Sequence, residues 1–111
     1  MKVEEIVNEL HLKTFSGTKG LATEVLGGYV SDLLSDVMGS AQAQYVWITL
    51  QTHKNVIAVA SLKDLAAVII VKGFEPDTDM LEQAVEEGIP VLGTNESAFD
   101  ISGKLYNLLI K

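Results

Sequence analysis

The sequence contains no cysteine and no arginine. Without cysteine there can be no disulfide framework, no thiolate zinc or iron–sulfur centre and no cysteine nucleophile. Such a chain suits a reducing compartment, so a cytoplasmic location is the expectation. Without arginine there is no bidentate guanidinium clamp for phosphate or carboxylate, and no arginine finger supplied in cis. Any anion site must then use backbone N–H groups, lysine or helix ends. Positive charge is scarce altogether, because eight lysines face fifteen acidic side chains and the formal net charge is -7. Nucleic-acid binders gather their cations into a footprint, whereas Lys2, Lys13, Lys19, Lys54, Lys63, Lys72, Lys104 and Lys111 are scattered. A nucleic-acid partner is disfavoured. Long hydrophobic runs are also missing. The longest, Leu65 to Val71, is far short of the roughly 20 residues that span a bilayer. Met1 to Leu10 carries acids where a secretory signal needs bases. No membrane association is expected.

What remains is a chain of 111 residues, 48% hydrophobic and 21% charged. That composition and size suit one compact domain over residues 1–111, burying about two-thirds of its unfolded surface.

Helix and strand patterns alternate along it. Val3, Ile6, Val7 and Leu10 recur at helical spacing and predict a helix over 2–10. A strand over 12–15 ends in the turn Ser16-Gly17-Thr18-Lys19-Gly20. Residues 24–30 read as a strand interrupted by Gly27-Gly28. Ser31 or Asp32 can cap the next helix, with Leu33, Leu34, Val37 and Met38 as its apolar stripe. Tyr45 to Leu50 reads as a buried strand and Ala66 to Val71 as another. Val56 to Leu62 is a short apolar run that periodicity does not assign. If the flanking strands are parallel, a crossover helix is required there. Pro76 and Asp77 open a helix through Glu87, with Asp79 and Glu82 at capping-box spacing and Gly88 at its end. A strand over 89–92 follows, and Ser97 with Asp100 caps a final helix carrying Ile101, Leu105, Leu108 and Leu109. The expected fold is a three-layer α/β/α domain around a small, largely parallel or mixed sheet of four or five strands.

In open α/β sheets ligands bind outside the carboxyl ends of the strands. Here those ends are Gln51-Thr52-His53-Lys54-Asn55, Lys72-Gly73-Phe74-Glu75 and Gly93-Thr94-Asn95. Each precedes a helix N-terminus, which attracts anions such as phosphate. By the period of two, Thr49, Gln51 and His53 project to one face together with Trp47. His53 as general base lacks an evident nucleophile, although Ser35, Ser61 and Thr52 are available. Asp32 and Asp36, four apart on one helix, could share a magnesium ion, or Asp32 caps while Asp36 is solvated. The patterns GxxxxGK[ST], GxGxxG and HExxH do not occur.

Two stretches, Gly28-Tyr29-Val30-Ser31-Asp32-Leu33-Leu34-Ser35-Asp36-Val37-Met38 and Trp47-Ile48-Thr49-Leu50-Gln51-Thr52-His53-Lys54-Asn55, carry a family likeness. It continues through Val71 to Asp77, Gly88 to Leu92 and Gly103 to Tyr106. Over nearly its whole length the chain resembles the DRTGG domain family, in particular stand-alone members labelled HPr-serine-kinase-like. The resemblance implies the fold of the N-terminal domain of HPr kinase/phosphorylase, not of its catalytic domain, whose phosphate-binding loop is missing here. In relatives fused to CBS domains and pyrophosphatase it implies a regulatory, dimer-forming module near an adenine-nucleotide-sensing region. Where many members carry Thr-Gly-Gly after the central strand, this chain has Lys72-Gly73-Phe74.

The resulting expectation is a non-catalytic regulatory module, homodimeric, that binds a small ligand or a partner enzyme and requires no cofactor or metal. If the ligand is an adenine nucleotide, Thr49, Gln51, His53 and Asn55 are its expected contacts. Gly73 and Thr94 would give backbone approach, and Gly28 and Asp32 complete the candidate set. The alternatives are a purely structural protein–protein adaptor and a phosphoryl-transfer enzyme using His53.

Overall fold

The computed structural model describes residues 1–110. Five strands form one mixed sheet: β1 (Lys13–Ser16), β2 (Gly27–Val30), β3 (Tyr45–Thr49), β4 (Ala67–Ile70) and β5 (Val91–Gly93). Their order is β1-β5-β4-β3-β2. All neighbours are parallel except β1, which runs antiparallel to β5 on the outer edge. The helices are α1 (Val3–Leu10), α2 (Leu34–Ser40), α3 (Asn55–Leu62), α4 (Thr78–Glu87) and α5 (Ala98–Ile110).

The central strands are apolar on both sides because both sheet faces are covered. On one face Ile48, Ile69 and Leu92 pack with Val3, Ile6, Ile101 and Leu105 of α1 and α5. On the other, Trp47, Val68, Ile70 and Val91 pack with Val37, Val56, Ile57, Ala60, Met80 and Ala84 of α2, α3 and α4. This is the expected three-layer α/β/α arrangement. Parallel pairing of β3 with β4 demands a crossover, and residues 55–62 supply it as a helix. A nearly all-apolar helix suits its site, with Val56, Ile57 and Ala60 each 0% exposed.

Several local expectations are corrected. The strand expected over 24–30 begins only at Gly27. Before it, Glu24 makes an isolated bridge to Lys2, and the N-terminal ammonium donates to the Glu24 carboxylate and holds it below the usual carboxylate range. Neither Ser31 nor Asp32 caps α2. Leu33 occupies the cap position, and Ser31 Oγ accepts only the Leu33 N–H at 3.1 Å. The helix therefore starts later than expected, leaving Leu33 outside it, while Leu34 packs half-buried beside Val37. Of the predicted stripe only Val37 is buried, while Leu33 and Met38 face solvent. Asp77 holds the cap position of α4 in extended backbone, but its side chain caps nothing. At the other end of that helix Gly88 adopts the expected left-handed conformation. Ser97 Oγ accepts the Asp100 N–H at 3.2 Å, as predicted for α5.

Candidate functional site

The residues grouped by sequence at the end of β3 are bonded mainly to one another. β3 stops at Thr49, so the alternation does not extend to Gln51 and His53. Thr49 is buried, and its hydroxyl donates to Asp32 Oδ1 at 2.8 Å. The same carboxylate oxygen accepts the Leu50 N–H at 2.7 Å. Gln51 Nε2 donates to the Asp32 carbonyl at 2.8 Å, while the Gln51 N–H donates back to Thr49 Oγ1 at 3.1 Å. Asp32 thus ties the end of β2 to the end of β3. It shares no helix face with Asp36, whose carboxylate accepts the Tyr29 hydroxyl at 2.9 Å. Neither limb of the expectation for that pair holds, since Asp32 is not a cap and Asp36 is engaged. Among the described residues no group of three His, Asp or Glu side chains could hold a metal ion. His53 turns away from this cluster and pairs with Asp77 through Nδ1, 3.0 Å from Oδ2. Both partners are largely exposed. Asn55 begins α3 on the surface.

The other two strand ends build something more open. α4 leaves β4 toward one sheet face, and α5 leaves β5 toward the opposite one. Neighbouring connections that diverge in this way leave a crevice at the carboxyl ends of the strands, the recurrent ligand position of open α/β sheets. A cleft of about 860 Å³ lies there. Its walls are the loop Gly73-Phe74-Glu75, the loop from Gly93 to Glu96, Lys104, Asn107 and Leu108 of α5, the end of α1 from Glu9 to His11, and Lys13 and Phe15 of β1. The two loops are locked together, because Lys72 N–H donates to the Glu96 carbonyl and Gly73 N–H to the Thr94 carbonyl, both at 2.9 Å. Making those bonds puts Lys72 and Gly73 in successive left-handed conformations, at φ 60° and 72°. For lysine that costs on the order of 1 kcal/mol, and it places Phe74 half-exposed at the rim. Gly93 lets the Phe15 ring lie on the strand, since a Cβ there would stand 2.5 Å from Phe15 Cε2. Lys13 Nζ stands 4.8 Å from that ring's centroid, and Lys104 pairs with Glu96 at 2.8 Å.

Of the residues proposed from sequence, the cleft therefore contains Gly73 and Thr94 and none of Thr49, Gln51, His53, Asn55, Gly28 or Asp32. Gly28 lines a second groove of about 320 Å³ between edge strand β2 and α5, with Leu26, Val30, Leu105, Tyr106, Leu109 and Ile110.

The HPr Serine kinase N terminus family model matches residues 36–109, more than half of the chain. The chain belongs to that family. No curated protein matches it. Among solved structures, the chain is similar to the CBS and DRTGG domains of the regulatory region of Clostridium perfringens pyrophosphatase, complexed with activator, diadenosine tetraphosphate. The TM-score is 0.72 at 14% identity, over 94% of this chain and 45% of that one. The likeness at that identity is one of fold, and it establishes the DRTGG-type architecture. The chain spans less than half the length of its structural neighbour.

The cleft residues that sequence reasoning missed are Lys13, Phe15, Lys104 and Asn107; Phe74 and Asn95 lie in the strand-end loops it named but were not singled out as contacts. Together they come from β1, three separate loops or helices and both sheet faces. One local signal was present: the polar loops after β4 and β5 precede helices, which is how Gly73 and Thr94 were found. The decisive fact, that these two helices depart to opposite faces, is a property of topology.

Proposed function

We propose that the chain is a non-catalytic regulatory module that works as a homodimer and takes a small ligand in the crevice between the ends of β4 and β5. Its output is a changed contact with a partner enzyme. The observation that carries this is the placement of α5. One face of that helix supplies Lys104, Asn107 and Leu108 to the cleft. Another supplies Leu105, Tyr106, Leu109 and Ile110 to the groove along β2. A ligand that shifts α5 would be felt at the β2 edge, and by linkage the edge contact would alter ligand affinity by the same factor.

Several features support self-association at that edge. β2 is the outer strand, and among the described residues no strand pairs with its far side. Leu26, Val30, Tyr106 and Ile110 are each at least half exposed there, and every residue lining the groove is uncharged. In a chain of net charge -7, an uncharged face is where two copies can meet with least repulsion. Two β2 strands related by a two-fold axis are self-complementary, so the sheet continues from one copy into the other. A standard interface needs about 600–800 Å² from each copy, roughly a tenth of the 5801 Å² the chain exposes.

Support for a non-catalytic role comes from how the reactive side chains are occupied. Thr94 Oγ1 accepts the Glu96 N–H at 3.2 Å, Lys104 is paired, and His53 lies outside the cleft, whose own histidine, His11, is the left-handed C-cap residue of α1. The structural neighbour, whose regulatory region was solved with the activator diadenosine tetraphosphate, motivates adenine compounds as first probes. Sedimentation equilibrium with and without adenosine or AMP tests the proposal. A concentration-dependent dimer whose dissociation constant moves with ligand is expected. A chain that stays monomeric up to millimolar concentration and shows no ligand-dependent melting shift would overturn it.

A further inference from the structure

We propose that the crevice at the ends of β4 and β5 recognises a neutral planar base, of the class of a nucleoside, and discriminates against its phosphorylated forms. This rests on the crevice being the ligand site and adds which chemistry it selects.

The lining is decisive. Two phenylalanines from different elements, Phe15 and Phe74, border the cleft, with Leu10 and Leu108 as further apolar wall. Phe74 offers a stacking face to a flat heterocycle, while the Phe15 ring, lying on Gly93 with Lys13 over it, adds apolar wall. Phe74 is 49% exposed although it is a large apolar side chain, and the strained left-handed backbone just before it holds it at the rim. Strained backbone of this kind is retained where the presented group has work to do. Asn95 and Asn107 add two amides, each carrying both donors and acceptors, the complement of a base edge.

Charge points away from phosphate. The cleft holds Lys13 and Lys104, with His11 beside them, against Glu9, Glu75 and Glu96. One of the two lysines is already paired with Glu96 and the other stands over the Phe15 ring. There is no arginine anywhere in the chain to supply a bidentate clamp. At the start of α5 the Asp100 N–H is already taken by Ser97 Oγ, which removes one of the donors a phosphate there would use. A phosphate appended to a base seated here meets a surplus of carboxylates, and each added negative charge should weaken binding roughly threefold at low salt.

The test is calorimetric titration of the full chain with adenosine, guanosine, AMP and ATP, with the amide resonances followed in parallel. Expected are binding of at least one nucleoside, a falling affinity from nucleoside to monophosphate to triphosphate, and perturbed amides at Phe74, Thr94, Asn95 and Asn107. Phe74→Ala, on an exposed loop, should weaken the nucleoside roughly tenfold or more without altering the melting curve. Asn107→Ala, exposed on α5, should weaken it too and leaves a second readout if the first variant misfolds. ATP binding more tightly than the nucleoside at these same amides would overturn the ligand class and leave the crevice standing. Perturbations confined to Thr49–Asn55, or none with any probe, would overturn both.

Discussion

Replacing Asp32 by alanine removes the acceptor that joins the ends of β2 and β3. In the native chain Asp32 Oδ1 takes the Thr49 hydroxyl at 2.8 Å and the Leu50 N–H at 2.7 Å. Hydrogen bonds to a charged acceptor contribute about 1.5–3 kcal/mol each when neither partner can find water. Thr49 is 2% exposed and would lose the acceptor of its hydroxyl proton, keeping only the Gln51 N–H donated to it, whereas the Leu50 N–H lies near the surface and can be rehydrated. The net cost is then about 2 kcal/mol, which for a domain of this size lowers Tm by about 8 °C. Denaturant unfolding of Asp32→Ala, Thr49→Val and the double variant tests this as a cycle. If the pair is an internal lock, the second substitution costs little once the first is made, and the coupling is about 1 kcal/mol. Ligand affinity at the crevice should be unchanged in all three. An Asp32→Ala protein that melts like the wild type but no longer binds ligand would refute the reasoning and return Asp32 to the ligand site.

Three further outcomes are expected. Val30→Glu or Tyr106→Glu should abolish the dimer by placing a charge in the uncharged β2–α5 strip, with circular dichroism unchanged; sedimentation velocity reads it, and an unaffected dimer would exclude that edge. Gly17 has φ 79° and a Cβ there would stand 2.0 Å from the Ile89 carbonyl oxygen, so Gly17→Ala should cost about 3–5 kcal/mol in denaturant unfolding. His53 and Asp77 form an exposed pair, so His53→Ala should change stability by less than about 1 kcal/mol and leave nucleoside affinity untouched; a large loss of binding would reinstate His53 as a ligand contact.

Much of the architecture was legible because it is written in short-range pattern. The apolar runs that became β3 and β4 stand between polar loops, and the Gly88 stop and the Ser97 cap are local chemistry. α3 was harder. Its exposed face carries Ala58 and Leu62, so no polar stripe marks a helical period, and only the parallel pairing of its flanking strands identifies it. Asp32 was misread as a cap because a cap is a local partner, whereas its real partners lie in β3 across the sheet. The same limit hid the crevice. Phe15 meets Gly93 only because β1 returns antiparallel to β5, and Asn107 reaches the cleft only because α5 crosses to the face opposite α4. Neither relation has a signature in neighbouring residues, so the loops holding Gly73 and Thr94 were found and the walls from β1 and α5 were not.

The most direct test of the account is a map of amide chemical-shift changes on titrating adenosine into the full chain. It should show changes at Gly73, Phe74, Thr94, Asn95 and Asn107, with secondary changes along α5 toward Tyr106. Changes centred on Thr49, Gln51, His53 and Asn55, with the crevice and α5 silent, would contradict it.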